Sequence, residues 1–111
     1  DSRVAALFAA SSSRIFFVGH THRLQLVHSR GEEIVRRGLG EERIELLAEE
    51  KYLISAGSVG QPRDGDRHAK YLLWDSEAGT IDVCAVAYDI ASTQRKIREL
   101  GFPEIYASRL G

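Results

Sequence analysis

The sequence contains no methionine and a single cysteine, and each shortage excludes something. Without a methionine, Asp1 is not a translation start, so the expectation is that a segment upstream of it has been removed. One cysteine, Cys84, forms no internal disulfide, which points to a reducing, cytoplasmic setting. It sits in an apolar run and is expected simply to pack. Long apolar runs are also lacking. The longest, Val4 to Ala10, falls far short of the ~20 residues that cross a bilayer, and no basic flank precedes a cleavage-like site. A membrane partner is therefore not expected. Excess charge of either sign is missing too: 15 Lys and Arg against 16 Asp and Glu give a net charge of −1. Evenly mixed charge builds no broad basic field, so nucleic acid is not expected and a small-molecule partner is favoured. There is no repeat, low-complexity tract or linker, and 111 residues suit one small domain spanning 1–111.

What is present alternates between helical and strand-like patterning. Val4, Leu7 and Phe8 recur at helical spacing among alanines, which predicts the end of an amphipathic helix. Ser11, Ser12 and Ser13 break it, and Ile15 to Val18 is continuously apolar, as in a strand buried on both faces. Leu24, Leu26 and His28 alternate with Gln25, Val27 and Ser29, a half-buried strand closed by a turn at Arg30-Gly31. Glu32 to Glu50 is charged and reads as short strands and turns, with Glu41-Glu42-Arg43 and Glu49-Glu50-Lys51 as exposed faces. Tyr52-Leu53-Ile54 is strand-like and runs into a glycine-rich segment. Tyr71 to Trp74 and Thr80 to Tyr88 have the spacing of a hairpin, with Gly79 in its loop and with Tyr71 and Trp74 expected in the core. From Ser92 the pattern turns helical: Ser92 or Thr93 is the expected cap, Ile97 and Leu100 face inward, and Gly101 lies past the end. Pro103 opens a last short helix over Glu104 to Leu110.

The most informative feature is Gly19-His20-Thr21-His22, directly after the apolar strand. In extended backbone, residues two apart share a face with Cα atoms ~6.6 Å apart. Imidazole nitrogens bind metals at ~2.0 to 2.1 Å. His20 and His22 are thus candidate ligands, either one to each of two ions ~3.5 to 4 Å apart or both to one ion. Gly19 would let the backbone pass close to an ion, at the carboxyl end of a strand where open α/β sheets place ligands. An isolated H-x-H is more often a pair of ordinary histidines, but strand, glycine and pair form one unit here, and a second motif follows.

Arg63 is a candidate phosphate contact through its guanidinium fork, weighed equally against a structural turn with Asp64 or Asp66. Ser58 and the amides of Gly57 to Gly60 would either cradle an anion or form a tight turn. His28 is expected as a half-buried strand residue and His68 as a solvated one.

Phe16-Phe17-Val18-Gly19-His20-Thr21-His22, followed by Gly57-Ser58-Val59-Gly60-Gln61-Pro62-Arg63-Asp64, resembles the calcineurin-like metallophosphoesterase superfamily. The likeness is greatest to its compact prokaryotic branch of phosphodiesterases and diadenosine-tetraphosphatase-like proteins. The terminal Tyr88-Asp89 and the stretch through Leu100-Gly101-Phe102-Pro103-Glu104 match as well. The resemblance covers essentially the whole chain but only the carboxyl-terminal half of that domain. It implies an α/β fold, the carboxyl-terminal half of a four-layer α/β/β/α sandwich, with His20 ligating one metal and His22 the other. The cofactors implied are two divalent ions, manganese, iron, zinc or nickel, and the substrate is a phosphate-ester small molecule or nucleotide. The other ligands of the family come from D-x-H, G-D, G-N-H and lone-histidine motifs that this sequence lacks. Each ion needs about four to six donors, so the chain alone is expected to be inactive and its partner to be the missing amino-terminal half. One departure is Ser55-Ala56 where the family has Asn-Pro. The alternative expectation is a non-catalytic binding or scaffolding module that keeps the fold without the other ligands, and a third is a fragment still paired with its other half.

Overall fold

The computed structural model describes residues 2–19, 21–61 and 66–111. Its elements are α1 (Ser2–Ala10), β1 (Ile15–Val18), β2 (Leu24–Arg30), β3 (Glu33–Gly38), β4 (Arg43–Glu45), β5 (Tyr52–Ala56), β6 (Ala69–Asp75), β7 (Thr80–Val86), α2 (Ile90–Glu99) and α3 (Glu104–Ser108). A four-stranded sheet runs β1-β5-β2-β3, and a three-stranded sheet runs β4-β7-β6. Among the described residues only β1 and β5 pair in parallel, Ile15 opposite Tyr52 through Val18 opposite Ser55, which brings the ends of both strands to one edge of the molecule.

The two sheets pack face to face. Leu26, Tyr52 and Ile54 of the first meet Ile44, Ile81 and Val83 of the second in one buried cluster. The opposite face of the first sheet carries α1, whose Val4 and Phe8 pack on Val27. Burying β2 on both sides explains why Leu26, Val27 and His28 are consecutive buried residues, where alternation alone predicted one wet face. Lys51 fastens the helix by donating from Nζ to the carbonyls of Phe8 and Ser11, placing a cation at the helix carboxyl end where the macrodipole favours it. Helices α2 and α3 pack on each other, Gln94 donating to the Ala107 carbonyl. Among the described residues no helix is long and apolar enough to cross a membrane.

Several sequence expectations are corrected. Ile15 to Val18 is a strand but not one buried on both faces: β1 ends its sheet, and Phe17 is 46% exposed. Tyr71 and Trp74 are likewise exposed rather than core, because β6 ends the other sheet. The two ends meet, with the Phe17 and Trp74 rings 5.6 Å apart, so β1 and β6 present one continuous apolar margin. The cap of α2 is Asp89, whose carboxylate accepts from the Ser92 amide, so the helix starts earlier than Ser92. Leu100, expected to face inward, is 73% exposed. Glu50 is not part of an exposed face either: it is buried, with one carboxylate oxygen 3.2 Å from His28 Nδ1 and the other accepting from the Tyr52 hydroxyl at 3.0 Å. That hydroxyl also accepts from the Leu47 amide, and burial pushes its pKa up. The radius of gyration is 16.5 Å, against about 13 Å for a compact domain near this length.

Candidate functional site

Parallel pairing of β1 and β5 carries the two motif loops side by side. The Thr21 and Ser55 hydroxyls lie 3.4 Å apart. Of the residues expected from sequence to form the site, His20 and Arg63 lie outside the described residues, whereas His22 is described and half-buried.

His22 adopts φ 59°, and it is the one non-glycine residue with positive φ among those described. This left-handed conformation is uncommon outside glycine, and residues held in it cluster at functional sites. Its Nδ1 lies 2.8 Å from the carbonyl oxygen of Gln61, in the glycine-rich loop. A carbonyl only accepts, so Nδ1 carries the proton, and in the neutral ring the lone pair stands on Nε2. A backbone carbonyl holding one imidazole nitrogen so that the other is presented is the arrangement found behind metal-ligating histidines.

Gly57, at the end of β5, has φ 79°, and a Cβ there would lie 3.0 Å from Leu24 Cγ and 3.3 Å from the Cβ of Lys70. Both the backbone angle and the space demand glycine. Ser58 accepts the Lys70 amide through its carbonyl and the Gly60 amide through Oγ. Those groups are committed to the turn, the second of the two readings that the sequence left open. Gly19 is different: a Cβ there meets no described atom within 4 Å, so crowding by those atoms does not explain the glycine.

Sequence reasoning missed His68. Its side chain is 53% exposed, as a solvated residue would be, yet Nδ1 is 2.6 Å from Asp66 Oδ1, which also accepts the His68 amide. The Asp-x-His spacing was the available signal, since an aspartate readily bonds the amide two residues on. Lys70 then holds Asp66 from below. It is 3% exposed and donates from Nζ to the Asp66 carbonyl. The His68 amide, then its ring, hold the Asp66 carboxyl at about 2, below its ordinary 3.8. A depressed acid lends its stabilisation above the unfolded value and loses it as pH falls through the folded one. The Asp66–His68 link should therefore stay intact at pH 4 and open as pH drops towards 2. A carbon-13 titration of the Asp66 carboxyl checks this, and a midpoint near 3.8 would contradict the geometry.

Among the described residues no group of three or more His, Cys, Asp or Glu side chains could hold a metal. His22 fits a metal as a single donor, and the described residues do not complete a coordination sphere around it.

No family model matches this sequence. An uncharacterized protein of Methanocaldococcus jannaschii is 40% identical over 96 residues, covering 86% of this chain and 38% of that protein. The crystal structure of a metallophosphoesterase from Sphaerobacter thermophilus matches with a TM-score of 0.82 at 36% identity, over 99% of this chain and 46% of that one. The chain thus spans less than half the length of both proteins, and its mixed α/β fold is that of the matching part of a metallophosphoesterase.

Proposed function

We propose that this chain forms part of a metal-dependent phosphate-ester hydrolase and supplies it with histidine ligands from the Gly19-to-His22 turn. The observation that carries this reading is the His22–Gln61 bond, which locks the ring with Nε2 as the donor nitrogen. His20 is proposed as the companion ligand and Arg63 as a contact to the substrate phosphate, both by resemblance. The remaining ligands would come from polypeptide that this chain does not include. Three observations support that division: the relatives are more than twice as long, the radius of gyration exceeds that of a compact domain, and the apolar margin of β1 and β6 is bare. Covering Phe17, Val18, Leu73 and Trp74 with further strands would extend both sheets and remove the exposed edges that proteins ordinarily protect.

Bound divalent ions, manganese, iron, zinc or nickel, would neutralise phosphoryl oxygens and lower the pKa of a bound water towards ~7. The contribution of this chain is positional. His22 is fixed by its backbone bond, and the loop that fixes it is pinned by Ser58 to Lys70. A phosphodiester, phosphomonoester or nucleotide is the proposed substrate, in the reducing compartment that a lone cysteine suits. The test is hydrolysis of phosphomonoester and phosphodiester probes by the longer protein, with manganese added and with metal chelated. Absence of turnover of any probe, with or without metal binding, would favour the non-catalytic module instead, and absence of metal binding would overturn the ligand assignment.

A further inference from the structure

A second site lies apart from the His22 turn. The segment at Asp66 to His68 faces the end of β7 and the start of α2 across a cavity of 410 Å³, lined by Arg67, His68, Ala87, Tyr88, Ile90 and Gln94 among others. Its floor of alanine, isoleucine and tyrosine ring is apolar, and its polar groups are mostly donors. Arg67 brings a guanidinium, Gln94 a carboxamide and His68 a ring already oriented by Asp66. With Nδ1 bonded to the carboxylate, the other nitrogen of His68 is the one left for a ligand.

The support beneath His68 is built rather than incidental. Lys70 is almost wholly buried, and its ammonium holds both the Asp66 carbonyl and, at 3.6 Å, the Asp66 carboxylate. Charges cost free energy to bury unless paired, so the Lys70–Asp66–His68 chain is a committed arrangement that presents one imidazole to the cavity. Other charged groups nearby are Glu41, which lines the adjoining cavity with His68 and Lys70, and Asp89, whose carboxylate is taken by the Ser92 amide.

We infer that this cavity binds a compact anionic group, a phosphate or carboxylate, held by Arg67, Gln94 and, in its protonated form, the His68 ring nitrogen that Asp66 does not take. Protonation puts a donor on both ring nitrogens, one for Asp66 and one for the anion.

The inference does not depend on metal binding, and its test separates the two. Inorganic phosphate, and acetate in a parallel arm, are titrated into chelator-treated protein at pH 6 while the His68 ring and the Tyr88 and Ala91 amides are followed by NMR. Saturable shifts at these positions are expected, with buried His28 unmoved. Arg67→Gln and His68→Gln should each weaken binding about tenfold, as for loss of a hydrogen bond to a charged group. Saturation by acetate alone would identify the occupant as a carboxylate and support the site. Linear, non-saturating shifts with both anions, or wild-type affinity in Arg67→Gln and His68→Gln, would overturn it.

Discussion

Replacing His22 with asparagine in the longer protein is expected to reduce metal-dependent phosphate-ester hydrolysis by about 100-fold or more, since even residues that only support metal ligands cost 10–100-fold when changed. Asparagine is chosen because His22 sits at φ 59°, and asparagine tolerates the left-handed region better than most residues. The backbone should keep its path, and the unfolding midpoint should move little. Metal content should fall together with activity, because the lost atom is Nε2, the nitrogen left free when Nδ1 bonds Gln61. Element analysis beside a hydrolysis assay reads both. A variant with more than half the original activity and undiminished metal would sink the ligand assignment. One that unfolds would show the Gln61 bond to be structural.

The second large effect is on stability. Gly57→Ala should cost about 3 kcal/mol, the sum of placing an L-residue at positive φ and of crowding a packed site. The added methyl would stand 3.0 Å from Leu24 Cγ and 3.3 Å from the Cβ of Lys70. Of these, Leu24 packs against the core and Lys70 holds the Asp66 segment. The strain would therefore be felt at the sheet, at the motif loop and at the second cavity together. Urea unfolding measures the loss, and a cost below about 1 kcal/mol would mean that the site yields. Adding Leu24→Val should recover part of it, and a double-mutant cycle would isolate the steric share from the backbone share.

Much of the fold could be read from residue patterning. The first helix, the strands at Ile15, Leu24 and Tyr52, the hairpin around Gly79 and the turn to helix near Ser92 all follow from local periodicity and turn chemistry, which act over a few residues. The candidate site was legible for the same reason, since Gly-His-Thr-His is a contiguous string. What failed were statements about what covers each element. Tyr71 and Trp74 have the composition of core residues but sit on an end strand, while Glu50 reads as surface and is buried against His28 and Tyr52. Burial is a property of neighbours brought from far along the chain, and local pattern carries no record of them.

The sequence by itself put forward the candidate site: two histidines behind a glycine, a glycine-rich segment from Gly57, and none of the further ligand motifs that the resemblance calls for. Only the tertiary structure decided which nitrogen His22 presents, because Gln61 is 39 residues away in sequence and reaches it through the parallel pairing of β1 and β5. The same holds for His68, ordinary in sequence and exposed in space, yet oriented by Asp66 over a buried lysine and set beside a cavity that Arg67 and Gln94 also line. Residue type sets what a side chain can do. Hydrogen bonds made across the fold set which of those things it is placed to do.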